Sequence, residues 1–176
     1  MKFKGFLNEA KSLKSSMIGF GIDRSKVKRL QTYVGSWLKR YKISHDPVKN
    51  PHVSIAQIPD EFDKDELVRK VNQVKKSITF NPKEIHIFRG EFKDWIVIEY
   101  KSNMKFIDAF YEISKDYPVK WFGSIRPHVS LFSVDKGAID DKFWHEMLYS
   151  MPPLPKISAE KVELWNSQFN IEYYKK

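Results

Sequence analysis

Apolar positions along the chain alternate between a strand-like and a helix-like period. A short β-compatible segment, Ser16 to Ile22, precedes Asp23 and Ser25, both suited to cap a helix. Val27, Leu30, Val34, Trp37, Leu38 and Tyr41 then recur at spacings of three and four. This predicts a strand and then an amphipathic helix with its apolar stripe in the core, Lys26, Lys28, Arg29, Lys39 and Arg40 taking much of the remaining surface. A loop over 44–51 leads into a β-like run, His52 to Ile58, closed by Pro59. Asp63 with Glu66 resembles a capping box ahead of Leu67, Val71, Val74 and Ile78, a second helix. Ile85 to Arg89 and Trp95 to Tyr100 flank a Gly-containing turn and predict a hairpin. Asn103 then caps a third helix marked by Phe106, Ile107, Phe110 and Ile113, which Pro118 ends. Pro127 to Val134 reads as a strand, Ile139 to Leu148 as a fourth helix, and Val162 to Asn166 as a late strand after the loop Pro152 to Pro155.

Strands and helices alternate similarly on each side of the central hairpin, and no Gly- or Ser-rich linker divides the chain. The expectation is an α+β fold, one domain over 1–176 made of two related lobes. At 176 residues, 41% hydrophobic and 15% aromatic, the chain can bury one substantial core, so disorder is excluded. The net charge of +9 favours phosphate-bearing partners without selecting one. Absence of cysteine removes disulfides, thiolate metal sites and Cys nucleophiles, and is compatible with a reducing compartment. The opening residues carry Glu9 and several Lys where a signal peptide needs an unbroken apolar core, and no run approaches the ~20 apolar residues of a membrane span. A cytoplasmic location and no membrane insertion are expected; a basic amphipathic N-terminal helix lying on a membrane is the alternative.

One internal repeat is sharp. Pro51-His-Val-Ser-Ile55 and Pro127-His-Val-Ser-Leu131 share four identical residues and a similar fifth, 76 positions apart. Because strand side chains alternate faces, His52 and Ser54 point one way and Val53 and Ile55 the other, and His128 and Ser130 repeat the arrangement. A two-lobed fold that sets these strands side by side puts two imidazoles and two hydroxyls into one cleft. One neutral His accepts a proton, one protonated His donates one, and the hydroxyls bind non-bridging phosphate oxygens: a constellation for phosphodiester chemistry without a metal. The bland alternative is a pair of ordinary surface-strand histidines.

On these two motifs the chain resembles the 2H phosphoesterase superfamily, whose members carry two His-x-Ser/Thr motifs on a pseudo-symmetric two-lobed fold (the LigT-like fold), with antiparallel sheets lining a central cleft and helices outside. Lys14 to Ile22 and the helix containing Val34-Gly-Ser-Trp-Leu38 look most like the bacteriophage anti-CBASS phosphodiesterases, which degrade the cyclic oligonucleotide signals of a bacterial defence system. Ser at both motif positions, where that branch often has Thr, is also similar to the spliceosomal small nuclear RNA exonucleases. The resemblance implies a cyclic oligonucleotide substrate, with RNA as the second class, no cofactor and, for a phage protein, the host cytoplasm.

A nucleotide substrate needs surfaces for its bases. Trp121, on the loop entering the second motif strand, Trp95 and Phe20 are candidate platforms, each with core packing as the alternative. Glu163, between apolar Val162 and Leu164, is a candidate acceptor for a base edge or an exposed strand charge, and Arg126 faces phosphate or solvent. His45, His86 and His145 lack the motif. Acid clusters at Asp63 to Glu66 and Asp140-Asp141 fall at helix starts, where capping explains them, so no metal site is expected. A 3′ RNA-processing phosphodiesterase and a non-catalytic single-stranded RNA-binding protein are the competing functions; base preference, oligomeric state and the division of acid and base between the histidines are not legible.

Overall fold

Helix starts follow the local signals. In the computed structural model, which describes residues 15–59, 63–75, 78–115, 126–159, 161–165 and 171–174, the Asp23 carboxylate accepts from the Ser25 amide at the head of α1 (Arg24–Arg40). Asp63 accepts from the Asp65 and Glu66 amides at α2 (Lys64–Lys75), Asn103 from Phe106 at α3 (Met104–Ser114), and Asp140 from Phe143 at α4 (Asp141–Tyr149). Each cap satisfies amides that have no partner within the helix. Both acid clusters are thus accounted for as caps.

The strands form two four-stranded antiparallel sheets. Sheet 1 runs β10 (Ile171–Tyr174), β9 (Lys161–Trp165), β1 (Ser15–Gly21), β3 (His52–Pro59); sheet 2 runs β2 (His45–Pro47), β7 (His128–Asp135), β6 (Lys93–Tyr100), β5 (Pro82–Arg89). A short pair, β4 (Thr79–Phe80) with β8 (Ile157–Ser158), completes the set among the described residues. The expected α+β class, antiparallel sheets and helices are all present. Strands β2, β4, β8 and β10 have no counterpart in the hydrophobic pattern, each being only two to four residues long.

The two halves exchange elements. With the short strand β2 set aside, the chain order β1-α1-β3-α2 recurs as β6-α3-β7-α4, each motif strand pairing antiparallel with the strand that opens its half. The strand after the first half, β5, joins sheet 2, and the late strand β9 returns to sheet 1. Helices cross as well: α1 lies on sheet 2 and α3 on sheet 1. Gln31 of α1 donates to the Leu131 and Val48 carbonyls, while Gly35 lets the helix approach until a Cβ there would lie 3.2 Å from the Phe132 ring. Neither half closes its own core.

Phe20, on β1, is fully buried against Phe80 and Phe106, with centroids at 6.4 Å from each. It is a core residue, worth about 1.5–3 kcal/mol for its burial, and the expectation of a base-stacking role is corrected. The reason is alternation: Gly19 and Gly21 occupy the opposite face, leaving Phe20 to the core.

Candidate active site

The sheets meet where β3 approaches β7, and a cleft of about 840 Å³ opens there, a size typical of small-molecule sites. His52, Ser54, His128 and Ser130 all line it, so the repeated motif converges on one place.

Register explains how. On sheet 1, His52 opposes Gly21 and Ser54 opposes Gly19, after which Ile18 opposes Ala56, leaving Ile55 as the unpaired residue of a β-bulge. On sheet 2, His128 opposes Glu99 and Ser130 opposes Val97, after which Ile96 opposes Phe132, leaving Leu131 unpaired. Both bulges fall at the fifth position of the repeated pentapeptide. An extra residue there shifts the side-chain phase, so each His-x-Ser pair faces the cleft while Ile55 with Ala56, and Leu131 with Phe132, are buried.

The imidazoles are held alike. His52 Nδ1 lies 2.9 Å from the Asn50 carbonyl and His128 Nδ1 lies 3.0 Å from the Arg126 carbonyl. A carbonyl only accepts, so in each ring Nδ1–H is the donor and the neutral form carries its lone pair on Nε2. Each ring also rests on an aromatic partner: Trp165 at 4.2 Å between centroids for His52, and Phe88 at 4.6 Å, edge-on, for His128. Trp165 fits because Gly19 has no side chain; a Cβ there would lie 2.4 Å from the Val53 carbonyl oxygen and 2.8 Å from the Trp165 ring.

Burial pushes both imidazoles below the ordinary histidine value, opposed in each by the carbonyl at Nδ1. His128 also feels repulsion from His52 and His86 and attraction from Glu99. The His52 ring is therefore near enough to oppose protonation of His128, as a shared acid–base site requires.

Trp95 lines the cleft, half-buried, opposite Phe88 on the neighbouring strand. Arg126 lines it with its side chain 57% exposed, free to reach a ligand. Glu163 shares the cleft-side face of sheet 1 with Trp165, but it is 3% exposed and its carboxylate binds Lys161 Nζ at 2.8 Å, so it is not the exposed strand charge the sequence allowed. Trp121 lies outside the described residues. His45 packs edge-on against Phe132 and bonds the Ile43 carbonyl, and His145 is exposed on α4, neither on the cleft.

Sequence reasoning missed Trp165, Phe88, Lys49 and Asn50, all on the cleft. Alternation along β5 places Phe88 with His86, a signal available in advance; Trp165 required the pairing of β9 with β1.

Glu84, His86 and Glu99 bring potential ligand atoms within 4.8 Å of one another beside His128. Lys83 Nζ already lies 3.1 Å from Glu84 and 2.7 Å from Glu99, an ammonium in the place a metal ion would take. The cluster is therefore an ion-pair network. Among the described residues no helix is long and apolar enough to cross a membrane.

No protein-family model matches the chain, and no curated protein matches it. Solved structures do. Kluyveromyces marxianus Usb1 is similar over 88% of this chain and 94% of its own, with a TM-score of 0.56 at 9% identity. A second structure of it, with uridine monophosphate, gives the same coverage and TM-score at 12% identity. The PDE domain of MHV ns2 is similar over 87% of this chain and 98% of its own, with a TM-score of 0.55 at 15% identity. These likenesses support the α+β fold over nearly the whole length of each neighbour.

Proposed function

We propose that this chain is a metal-independent phosphodiesterase of the 2H type that hydrolyses 3′–5′ bonds of cyclic di- or oligonucleotides, and thereby blocks CBASS antiviral signalling in a bacterial host. The observation that carries the reading is the convergence of His52 and His128 on one cleft, each with Nδ1 held by a carbonyl and Nε2 left for proton transfer. In the first step the substrate's 2′-oxygen bonds to phosphorus and gives its proton to one neutral imidazole, while the phosphorus–O5′ bond breaks and the 5′-oxygen takes a proton from the other. The products are a 2′,3′-cyclic phosphate and a free 5′-hydroxyl. Water then adds to phosphorus, the bond to O2′ breaks, and the two imidazoles return to their starting states. Ser54 and Ser130 supply hydroxyls for the non-bridging oxygens, whose charge grows in the transition state.

The surroundings suit a nucleotide. Trp95 and Phe88 offer stacking surfaces, Arg126 and Lys49 offer cations, and Trp121 is retained as a candidate platform on sequence grounds. A neighbour of the same fold has been solved with uridine monophosphate, and another is described as a PDE domain. The volume of about 840 Å³ holds more than one nucleotide, which favours a dinucleotide unit. A 3′ RNA-processing phosphodiesterase would use the same four residues on linear RNA. Incubating the protein in EDTA with cyclic dinucleotides, cyclic trinucleotides, linear RNA and DNA tests the proposal: loss of the cyclic ribonucleotides supports it, preferential loss of linear RNA moves it to RNA processing, and binding without cleavage of any substrate overturns it.

A further inference from the structure

The two halves match in register and bulge, and differ in the residues that oppose the motifs: Gly19 and Gly21 on one side, Val97 and Glu99 on the other. Gly21 opposes His52, whereas Glu99 opposes His128. Directly opposed residues of an antiparallel pair project to the same face, so the second imidazole has a carboxylate on its paired residue, whereas the residue paired with the first has no side chain. Glu99 is only 4% exposed. Its Oε1 binds Lys83 Nζ at 2.7 Å, while Oε2 is buried without a hydrogen bond, 3.4 Å from His86 Nε2 and 4.0 Å from Arg126 Nη1. His86 packs on Phe88 at 4.6 Å, and Phe88 packs on His128. The carboxylate thus lies in a continuous group of side chains ending at one of the two proton-transfer rings.

We propose that Glu99 is a positioning residue that keeps the proton of the cleft on His128, making His128 the donor to the leaving 5′-oxygen and His52 the base for the 2′-hydroxyl. This inference rests on the phosphodiesterase reading above. A carboxylate near an imidazole favours the charged ring, and in a site of low polarity the effect is larger than in water. Other charged and titratable groups on the same side are Lys83, Glu84, His86 and Arg126, of which Glu84 and Lys83 form an ion pair at 3.1 Å. On the opposite side, Glu163 fills the space over Gly21, but Lys161 binds it at 2.8 Å, and the fall in the His52 value comes from burial against the Asn50 carbonyl alone. Glu99 is lysine-paired as Glu163 is, and His52 and His86 oppose its pull on His128; the asymmetry that favours the proton there is geometric, the buried Glu99 Oε2 that no hydrogen bond satisfies, on the strand paired with His128. As O2′ bonds to phosphorus its proton passes to His52 Nε2; as the bond to O5′ breaks, the proton on His128 Nε2 passes to O5′. The assignment also orients the substrate: the leaving nucleoside lies over Phe88 and Trp95, and the nucleoside bearing the nucleophile lies over β3.

Two esters separate the roles. A ribodinucleoside monophosphate has an alkoxide leaving group that needs a proton; a ribonucleoside 3′-(4-nitrophenyl phosphate) has a phenolate that does not. His128→Ala is expected to lose about 10²–10⁴-fold on the first and under about tenfold on the second, while His52→Ala loses about 10²–10⁴-fold on both. The reverse pattern, or equal losses, overturns the assignment and leaves the phosphodiesterase reading standing; wild-type protein that cleaves neither ester overturns that reading as well. Glu99→Gln, a near-isosteric change, is expected to move the alkaline limb of the pH profile on the dinucleoside ester down by about one unit and to leave the nitrophenyl profile in place, with Glu99→Asp restoring part of the shift. If neither Glu99 variant, melting like wild type, moves that limb, Glu99 has no part in it. Should Glu99→Gln fail to fold, the comparison of the two histidine variants still decides which ring is the donor.

Discussion

Ile55 in β3 and Leu131 in β7 are equivalent residues, each the unpaired member of a β-bulge one position after a motif serine. Bulges re-aim side chains by shifting strand phase, and here both do so at the boundary between the cleft-facing His-x-Ser and a core-facing segment. Deleting Ile55 or Leu131 would remove that extra residue and let the strands pair regularly, at the cost of a buried side chain and of the local twist that sets the angle of the motif. Either deletion should lower both stability and turnover, as a buried side chain and the local twist are lost, whereas Ile55→Val, which retains the bulge, should cost about 0.5–1.5 kcal/mol and keep activity. Thermal melts with parallel turnover assays check both.

Replacing either motif histidine by Ala should lower turnover of the natural substrate about 10²–10⁴-fold with circular dichroism unchanged, because each ring is only half-buried and its loss breaks no sheet pairing. Ser54→Ala and Ser130→Ala should each lose less, about 10–100-fold, since one hydrogen bond to a charged oxygen disappears and proton transfer remains. Steady-state kinetics on the four variants orders them.

Gly19→Ala tests the support of His52. The new Cβ would meet the Val53 carbonyl oxygen at 2.4 Å and the Trp165 ring at 2.8 Å, neither of which is the free end of a flexible side chain. We expect about 1–3 kcal/mol of destabilisation and a fall in turnover as Trp165 is displaced from beneath His52. A variant as stable and as active as wild type would show that the Trp165 contact is dispensable.

Much of this was legible in the sequence, for physical reasons that stop at the sheet. Asp23, Asn103 and Asp140 cap helices through bonds spanning two or three residues, so local chemistry reveals them. The histidines and serines were legible because a repeat preserves phase. Phe20 was misassigned because composition does not say which face of β1 meets the core, although the flanking Gly19 and Gly21 supply the clue. Trp165 joins His52 only through the pairing of β9 and β3 with the two edges of β1, and Glu99 joins His128 only through the pairing of β6 with β7. Neither relation has a local trace, and a bulge is visible only once a partner strand fixes the register.

The pH profile follows from burial. His52 and His128 are both pushed below the ordinary histidine value of about 6.5, so the singly protonated pair is most populated on the acid side of it. The bell for kcat/KM should peak below about pH 6.5, and that for kcat at higher pH, because a bound phosphodiester anion favours the protonated ring. The same shift bears on stability. Above pH 6.5 both folded and unfolded histidines are neutral; as pH falls from there toward the lowered folded values, the unfolded chain binds protons first and the folded state loses stability. Denaturant midpoints measured between pH 7.5 and 5 should decline, and the decline should shrink in the His52→Ala, His128→Ala double variant.

The substrate's own 2′-hydroxyl is the nucleophile in the proposed reaction, which makes a deoxy analogue the most direct chemical test. The chain has no cysteine, and the two cleft serines are assigned to phosphate oxygens, so no side chain is given the attacking role. A cyclic diribonucleotide should be consumed in the presence of EDTA through a 2′,3′-cyclic phosphate intermediate visible by mass. Its 2′-deoxy counterpart should bind, since Trp95, Phe88 and Arg126 contact base and phosphate rather than sugar, and should persist. Competing the cyclic dinucleotide against a linear RNA 3′ end at equal concentration then reads the preferred substrate, with faster loss of the cyclic species expected. Cleavage of the deoxy analogue at a comparable rate would require a water nucleophile from the start. Activity lost to EDTA and restored by one divalent ion would return attention to Glu84, His86 and Glu99 as ligands, with Lys83 displaced from between the two carboxylates.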